Sequence, residues 1–365
     1  MTRGFNIIIA LIWSWFLIIV TSLSIPFDSS EVYVYENAFN PTACEMLHDL
    51  AVEHYERTND GSSVFLRPPH NDRPLTPLEH AIDSALTEMG DKTKLVEYWS
   101  RDEYMNIDTH ADLDESMLEQ EARIRCPLVG HVLYMQVKAD IRGPTCVFPE
   151  EKVGWGQQEL DEDKKLVIVP AVEGRILRFP GSAMHAVPNP AQRWLMSIQE
   201  ENALRTEEDI NDHEDEEEED YMYDDEEIER SVLLFNTWPD EEPGPLGVNG
   251  DIATGALPDG IELSEEDAAA FLKSQEAQIL TEWEEEYGKN GHEVRSNPFA
   301  EWVSVPINKD NETVGSLDEI NVPLMGRESR RLYSKPSVRL QGPKEKIGAA
   351  LTESSRVSAF HLSSS

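Results

Sequence analysis

Between residues 94 and 240 the chain is a succession of short apolar runs, rich in β-branched and aromatic residues and cut by turn residues. Lys94–Trp99, His131–Val137, Leu166–Pro170, Gly174–Phe179 and Ser231–Trp238 each read as a strand. No helical periodicity intervenes. A run of this kind cannot cover its own apolar faces, so several must share a core. The expected fold is mainly β with flanking α: an antiparallel sandwich or jelly roll. Residues 166–170 and 174–179 are expected to pair around a turn.

The flanks differ in texture. Glu31–Tyr35 alternates and predicts a strand. Asn40-Pro41 then opens a helix with Asn as cap and Pro at its first position. Thr76-Pro77-Leu78-Glu79 is a capping box. Ile82, Leu86 and Met89 follow it at helical spacing, and Gly90 closes the helix. Ser264 to Tyr287 predicts a long acidic helix with a narrow stripe of Leu272, Ile279, Trp283 and Tyr287. Val322–Gly326 and the basic stretch after it suggest one more ordered element. Residues 207–229 hold 16 acidic residues and no Lys or Arg, which predicts a disordered insertion between two strands. The expected organisation is an N-terminal leader over 1–26 and a helical support region over 27–93. A core over 94–248, with the acidic insertion at 205–229, and a C-terminal extension over 249–365 complete it.

The formal net charge is −40, from 71 acidic and 31 basic residues. That sign argues against nucleic acid and anionic lipid as partners. Arg3 precedes an uncharged, mainly apolar stretch from Phe5 to Val20, which reads as a signal peptide or a single-pass membrane anchor. Either would send the chain into the secretory pathway, and the sequon Asn311-Glu312-Thr313 agrees with a lumenal location. The tail carries no known ER-retrieval signal. Three cysteines allow at most one internal disulfide. Cys126 with Cys146 is one pairing and three thiols the alternative.

Chemistry concentrates at Asn106-Ile107-Asp108-Thr109-His110-Ala111-Asp112. On a strand, residues i and i+2 share a face, so His110 and Asp112 would present an imidazole and a carboxylate together. A calcium loop does not fit, because the glycine and distal glutamate it requires are not in place. A second histidine would complete a 2-His-1-carboxylate set, which suits Fe(II) and leaves three positions open. His185 is preferred: it follows Phe179-Pro180-Gly181, a strand end and tight turn, on a short strand of its own. His131 heads a strand and His213 lies in the acidic run, so both are weaker candidates. Asp108, Asp114 and Glu115 read as surface acids or supporting partners.

The segments "EYWSRDEYMNIDTHAD", "GHVLYMQV", "VPAVEGRILRFPGSAMHAVP" and "RSVLLFNTW" together resemble the iron(II)/2-oxoglutarate-dependent dioxygenases, prolyl 4-hydroxylase-like branch. The resemblance spans about residues 94–240. It implies a double-stranded β-helix (jelly roll) core with N-terminal and C-terminal helices. It also implies Fe(II) on His110, Asp112 and His185, with 2-oxoglutarate and O2 as cosubstrates and ascorbate as reductant. A cation would grip the far carboxylate of 2-oxoglutarate. Arg230, heading an apolar strand, is preferred, and Arg193, closer after His185, is the alternative. Tyr134 is a further contact candidate. The implied reaction is hydroxylation of a C–H bond in a protein or small-molecule substrate, with a peptidyl proline the simplest acceptor. A non-catalytic lumenal jelly-roll binding module is the alternative reading. An acidic calcium-buffering protein rests on residues 207–229 alone.

Overall fold

The computed structural model describes residues 31–365 except 59–60, 71–72, 103, 139–142, 153–162, 212–229, 241–243, 247, 249–300, 305–316 and 325–336. The leader, the sequon, the long acidic helix over 264–287 and most of the acidic insertion lie outside the described residues. Among the described residues, no helix is long and apolar enough to cross a membrane.

Strand β1 (Tyr33–Glu36) opens the fold. Helix α1 (Pro41–Thr58) starts as its sequence predicts, with the Ala43 amide donating to the Asn40 side-chain oxygen at 2.8 Å. Strand β2 (Ser63–Leu66) precedes helix α2 (Pro77–Glu88), whose capping box is complete. The Glu79 amide donates to the Thr76 hydroxyl at 3.2 Å, and the Thr76 amide donates to the Glu79 carboxylate at 2.8 Å. Then come β3 (Leu95–Arg101), β4 (Ile107–His110), a short helix α3 (Glu115–Glu121), β5 (Val129–Val137), β6 (Thr145–Lys152) and β7 (Asp163–Val169). After β8 (Ile176–Pro180) and β9 (Ala183–Val187), a 3-10 turn (Arg193–Leu195) leads to helix α4 (Ile198–Asn211) and β10 (Arg230–Trp238). The C-terminal part supplies β11 (Glu301–Ser304), β12 (Asp318–Pro323), β13 (Ser337–Gly342), helix α5 (Lys344–Thr352) and β14 (Ser358–Ser364).

These strands make two antiparallel sheets. One has the order β11-β1-β8-β5-β10-β3-β2, the other β12-β13-β14-β7-β6-β9-β4. From β3 to β10 the chain visits the first sheet at β3, β5, β8 and β10 and the second at β4, β6, β7 and β9. The arrangement is jelly-roll-like. Three apolar layers follow from strand alternation. Val34, Val132, Tyr134, Leu177 and Val232 of the first sheet meet Val147, Val167 and Val169 of the second between the sheets. Leu133, Leu233 and Phe235 face outward under Leu47 of α1 and Leu86 of α2. Phe148, Ile168 and Met184 face outward on the other side, under Ile320, Leu340, Leu362 and Ile347. The sheets therefore take in strands on both sides of residues 94–248.

Two expectations are corrected. Residues 166–170 and 174–179 do not pair. β7 bonds to β6 and β14, while β8 bonds to β1 and β5, because the intervening turn carries the chain across from one sheet to the other. Gly174 makes that crossing with φ of 75° and bonds to β5 through the Tyr134 carbonyl at 2.9 Å. The three cysteines are free thiols, so the pair Cys126–Cys146 is not formed. Cys146 is wholly buried in the layer beneath β12 and α5. The region between the strands also holds α3 and α4, which the sequence reading left out. The part of the insertion from residue 205 to Asn211 belongs to α4.

A Cβ at Gly174 would stand 2.2 Å from the Phe39 carbonyl oxygen and would inherit a left-handed backbone. Gly174→Ala is expected to lower unfolding free energy by about 1–3 kcal/mol, read from the urea midpoint against wild type.

Candidate metal centre

β4 and β9 are edge-to-edge neighbours in the second sheet, and His110 lies directly opposite His185. Directly opposed residues share a face. The two imidazoles stand with ring centroids 4.3 Å apart at 50°. β4 ends at His110, so Asp112 sits just past the strand and not on it. The chain still returns its carboxylate to the pair: Oδ1 lies 3.8 Å from His110 Nε2 and 3.6 Å from His185 Nε2. One ligand atom from each of the three residues falls within 4.8 Å of the others, a span that a single ion bridges.

Each ligand is oriented by a partner behind it. His110 Nδ1 lies 2.9 Å from the Asp108 carbonyl and His185 Nδ1 lies 3.2 Å from the Ala183 carbonyl. A proton on each Nδ1 satisfies those contacts and leaves both Nε2 lone pairs facing Asp112. Burial, followed by the adjacent His185, holds the His110 imidazole below its usual pKa, which keeps it neutral and able to ligate. Asn236, wholly buried on β10, donates from Nδ2 to Asp112 Oδ2 at 3.1 Å, so Oδ1 is the oxygen left to the histidines. Gly130 on β5 makes room for this. A Cβ there would stand 2.8 Å from the Phe179 ring, which packs on His185, and 3.3 Å from Asn236 Oδ1.

The side chains of the other acids of this stretch have partners of their own. The Asp108 side chain accepts from Asn106 Nδ2 at 3.0 Å and lies 3.8 Å from Arg193 Nε. Asp114 is buried, caps α3 through the Met117 amide at 2.9 Å and pairs with Arg125 at 2.8 Å.

Arg230 begins β10 on the face between the sheets. Its guanidinium lies over the Tyr134 ring at 5.2 Å, and Nη2 donates to the Thr145 hydroxyl at 3.1 Å, which also accepts from the Tyr134 hydroxyl at 2.8 Å. The side chain is buried, Nε has no acceptor, and among the described residues no carboxylate pairs with it. Arg193 has a different setting. It sits in the 3-10 turn, between Asp108 of β4 and Glu201 of α4, each at 3.8 Å. His131 faces away from the centre, stacked on Phe235 at 4.5 Å under the N-terminal helices, and His213 lies outside the described residues.

Three nearby residues escaped the sequence reading: Asn236, Gly130 and Glu97. Glu97 lies opposite Asn236 on β3, where its carboxylate accepts from Ser62 at 2.8 Å and Trp238 Nε1 at 3.0 Å. Desolvation pushes its pKa up to about 7.

No family profile and no curated protein matches the sequence. Among solved structures, the chain is similar to a Pseudomonas putida prolyl-4-hydroxylase at 13% identity and a TM-score of 0.28, covering 56% of this chain and 85% of that one. HygX from Streptomyces hygroscopicus with iron bound is 13% identical at a TM-score of 0.30, covering 66% of this chain and 96% of that one. The same protein with nickel and 2-oxoglutarate bound gives 0.31 at the same identity and coverage.

Two measurements test these contacts. Asn236→Leu removes the partner of Asp112 Oδ2, and metal affinity by chelator competition is expected to fall about 10- to 100-fold. Glu97 has a folded pKa above its unfolded one, so its stabilising contribution is full below about pH 4.3 and is lost as pH rises through about 7. Urea unfolding of Glu97→Gln against wild type is expected to shift in favour of the variant between pH 5 and pH 8.

Proposed function

We propose that the protein is an iron(II)- and 2-oxoglutarate-dependent hydroxylase built on a double-stranded β-helix. The observation that carries this reading is the convergence of His110 Nε2, His185 Nε2 and an Asp112 oxygen, each held from behind. Two imidazoles and one carboxylate fit Fe(II) and leave three positions open for exchangeable ligands. Fe(II), when bound with 2-oxoglutarate and O2, supplies an oxidation that releases succinate and CO2 and places a hydroxyl on a substrate carbon.

The chain's own residues bind and orient. Arg230 is assigned to the far carboxylate of 2-oxoglutarate. A buried guanidinium whose neighbours are a hydroxyl and an aromatic ring is costly by itself and suits an anionic ligand. Tyr134 covers one face of that guanidinium and, through Thr145, fixes its direction, which keeps water from competing. Arg193 already stands between two carboxylates, so it is set aside as the cosubstrate cation. A peptidyl proline acceptor, ascorbate as the reductant that keeps iron divalent, and a place in the secretory pathway belong to the same proposal. Their support is the resemblance and the apolar stretch over residues 5–20.

The full chain is loaded with Fe(II) under exclusion of oxygen, and iron content and 2-oxoglutarate affinity are measured. Wild type is expected to hold one iron, and His110→Ala to lose it. Arg230→Gln is expected to keep iron but to bind 2-oxoglutarate about 100-fold more weakly. Arg193→Gln is expected to change that affinity little. Equal iron in wild type and His110→Ala overturns the metal assignment, and unchanged 2-oxoglutarate affinity in Arg230→Gln overturns the cosubstrate assignment.

A further inference from the structure

A second arginine faces the same space. Arg101 ends β3 directly opposite Val232, whose side chain lies between the sheets. Arg101 therefore shares the inner face of the first sheet with Asn236 and Arg230. The charge of its neighbour Asp102 is felt at His48 of helix α1, on the opposite face of the sheet. The charge of Arg101 is felt at both His110 and Arg230, in keeping with its place on this inner face.

Arg101 is half-buried, and its hydrogen-bond partner is the weakly accepting sulfur of Met105, at 3.6 Å from Nη1. Among the described residues it meets no carboxylate. The chain has 71 acidic residues, so an acid partner would be easy to supply. Three buried arginines elsewhere have one: Arg67 meets Asp83 at 2.6 Å, Arg125 meets Asp114 at 2.8 Å and Arg175 meets Glu36 at 2.8 Å. A half-buried guanidinium that meets no carboxylate among the described residues is stabilised when an anion arrives.

Depth separates the two cations. Arg230 is enclosed and can be reached only by a small molecule lodged inside the barrel. Arg101 is partly open and can be reached by a group on a larger molecule whose C–H bond approaches the metal. The one acid on the same strand and face, Glu97, already accepts two hydrogen bonds and is not free to receive a cationic substrate. We infer that Arg101 is a specificity-determining residue that binds an anionic oxygen group, a carboxylate or a phosphate, on the primary substrate. This deepens the hydroxylase reading and rests on it.

The test uses the full chain loaded with Mn(II) in place of iron, titrated calorimetrically with matched probes. N-acetyl-aspartate is compared with N-acetyl-asparagine, and O-phosphoserine with serine. Wild type is expected to prefer at least one anionic probe over its neutral match by tenfold or more. The member that shows the preference distinguishes carboxylate from phosphate. Arg101→Gln is expected to abolish the preference and Arg101→Lys to restore part of it, with the melting temperature of each variant as the control for folding. 2-Oxoglutarate affinity is expected to stay within threefold in Arg101→Gln. No preference in wild type, or one that survives in Arg101→Gln, overturns the inference. A loss of 2-oxoglutarate affinity matching that of Arg230→Gln also overturns it, by moving Arg101 to the cosubstrate. Failure of wild type to bind 2-oxoglutarate at all counts against the hydroxylase reading, while the matched probes still decide the charge that Arg101 selects.

Discussion

His110 and His185 face one another across the β4–β9 ladder, and the rest of the site is arranged around that register. A slip of one residue would turn His185 to the opposite face of β9, into the layer that holds Met184 and Ala186. The register is pinned from both sides. β9 is bonded to β6 as well as β4, and the Pro180-Gly181 turn that feeds it packs so closely on Pro127 that a Cβ would stand 2.3 Å from the Pro127 carbonyl oxygen. The imidazoles then need only a third ligand, and the chain supplies Asp112 from the first residues beyond β4.

The two sheets divide the labour. The second sheet carries the two histidines of the candidate centre on β4 and β9, and Asp112 follows directly after β4. The first carries what orients and surrounds them: Asn236 on Asp112, and Arg230 and Arg101 along the same inner face. β10 links these functions, since Asn236 and Arg230 lie on one face of one strand. Within the second sheet, side chains of β12, β13 and β14 together with α5 pack on the outer face of β6, β7 and β9, and helices α1 and α2 cover the first sheet. Both faces of the barrel are thus sealed, and the polar groups inside it sit in a low-dielectric setting where an unpaired cation selects an anion strongly.

Much of this was legible in the residues. The capping box at Thr76, the Asn40 cap and the core strands β3, β5, β8 and β10 follow from local signals that tertiary packing then respected. Strands β2, β4 and β6 did not announce themselves. β2 and β4 are four residues long, and β6 carries Pro149 and two glutamates, so their strand character comes from pairing and not from composition. β12 and β14 are half polar and form because β7 and β13 offer them free edges. The supposed hairpin between β7 and β8 failed for a related reason. A short turn is compatible with pairing in one sheet or with crossing between two, and only the partners on either side decide.

The sequence by itself determined the candidate ligand types and their order: His110, Asp112 and His185, with a later arginine heading an apolar strand. It also determined the surplus of acids, which makes an arginine that meets no carboxylate among the described residues informative. What only the tertiary structure decided is which cation lies where. In the sequence Arg230 is preferred for the strand it heads and Arg193 stays open for its spacing after His185. In the fold, Arg193 falls on a connection beside Asp108 and Glu201, whereas Arg230 is enclosed with a hydroxyl and an aromatic ring. The reason is electrostatic. The state of a charge depends on what surrounds it within a few ångströms, and those neighbours come from strands far apart in the chain.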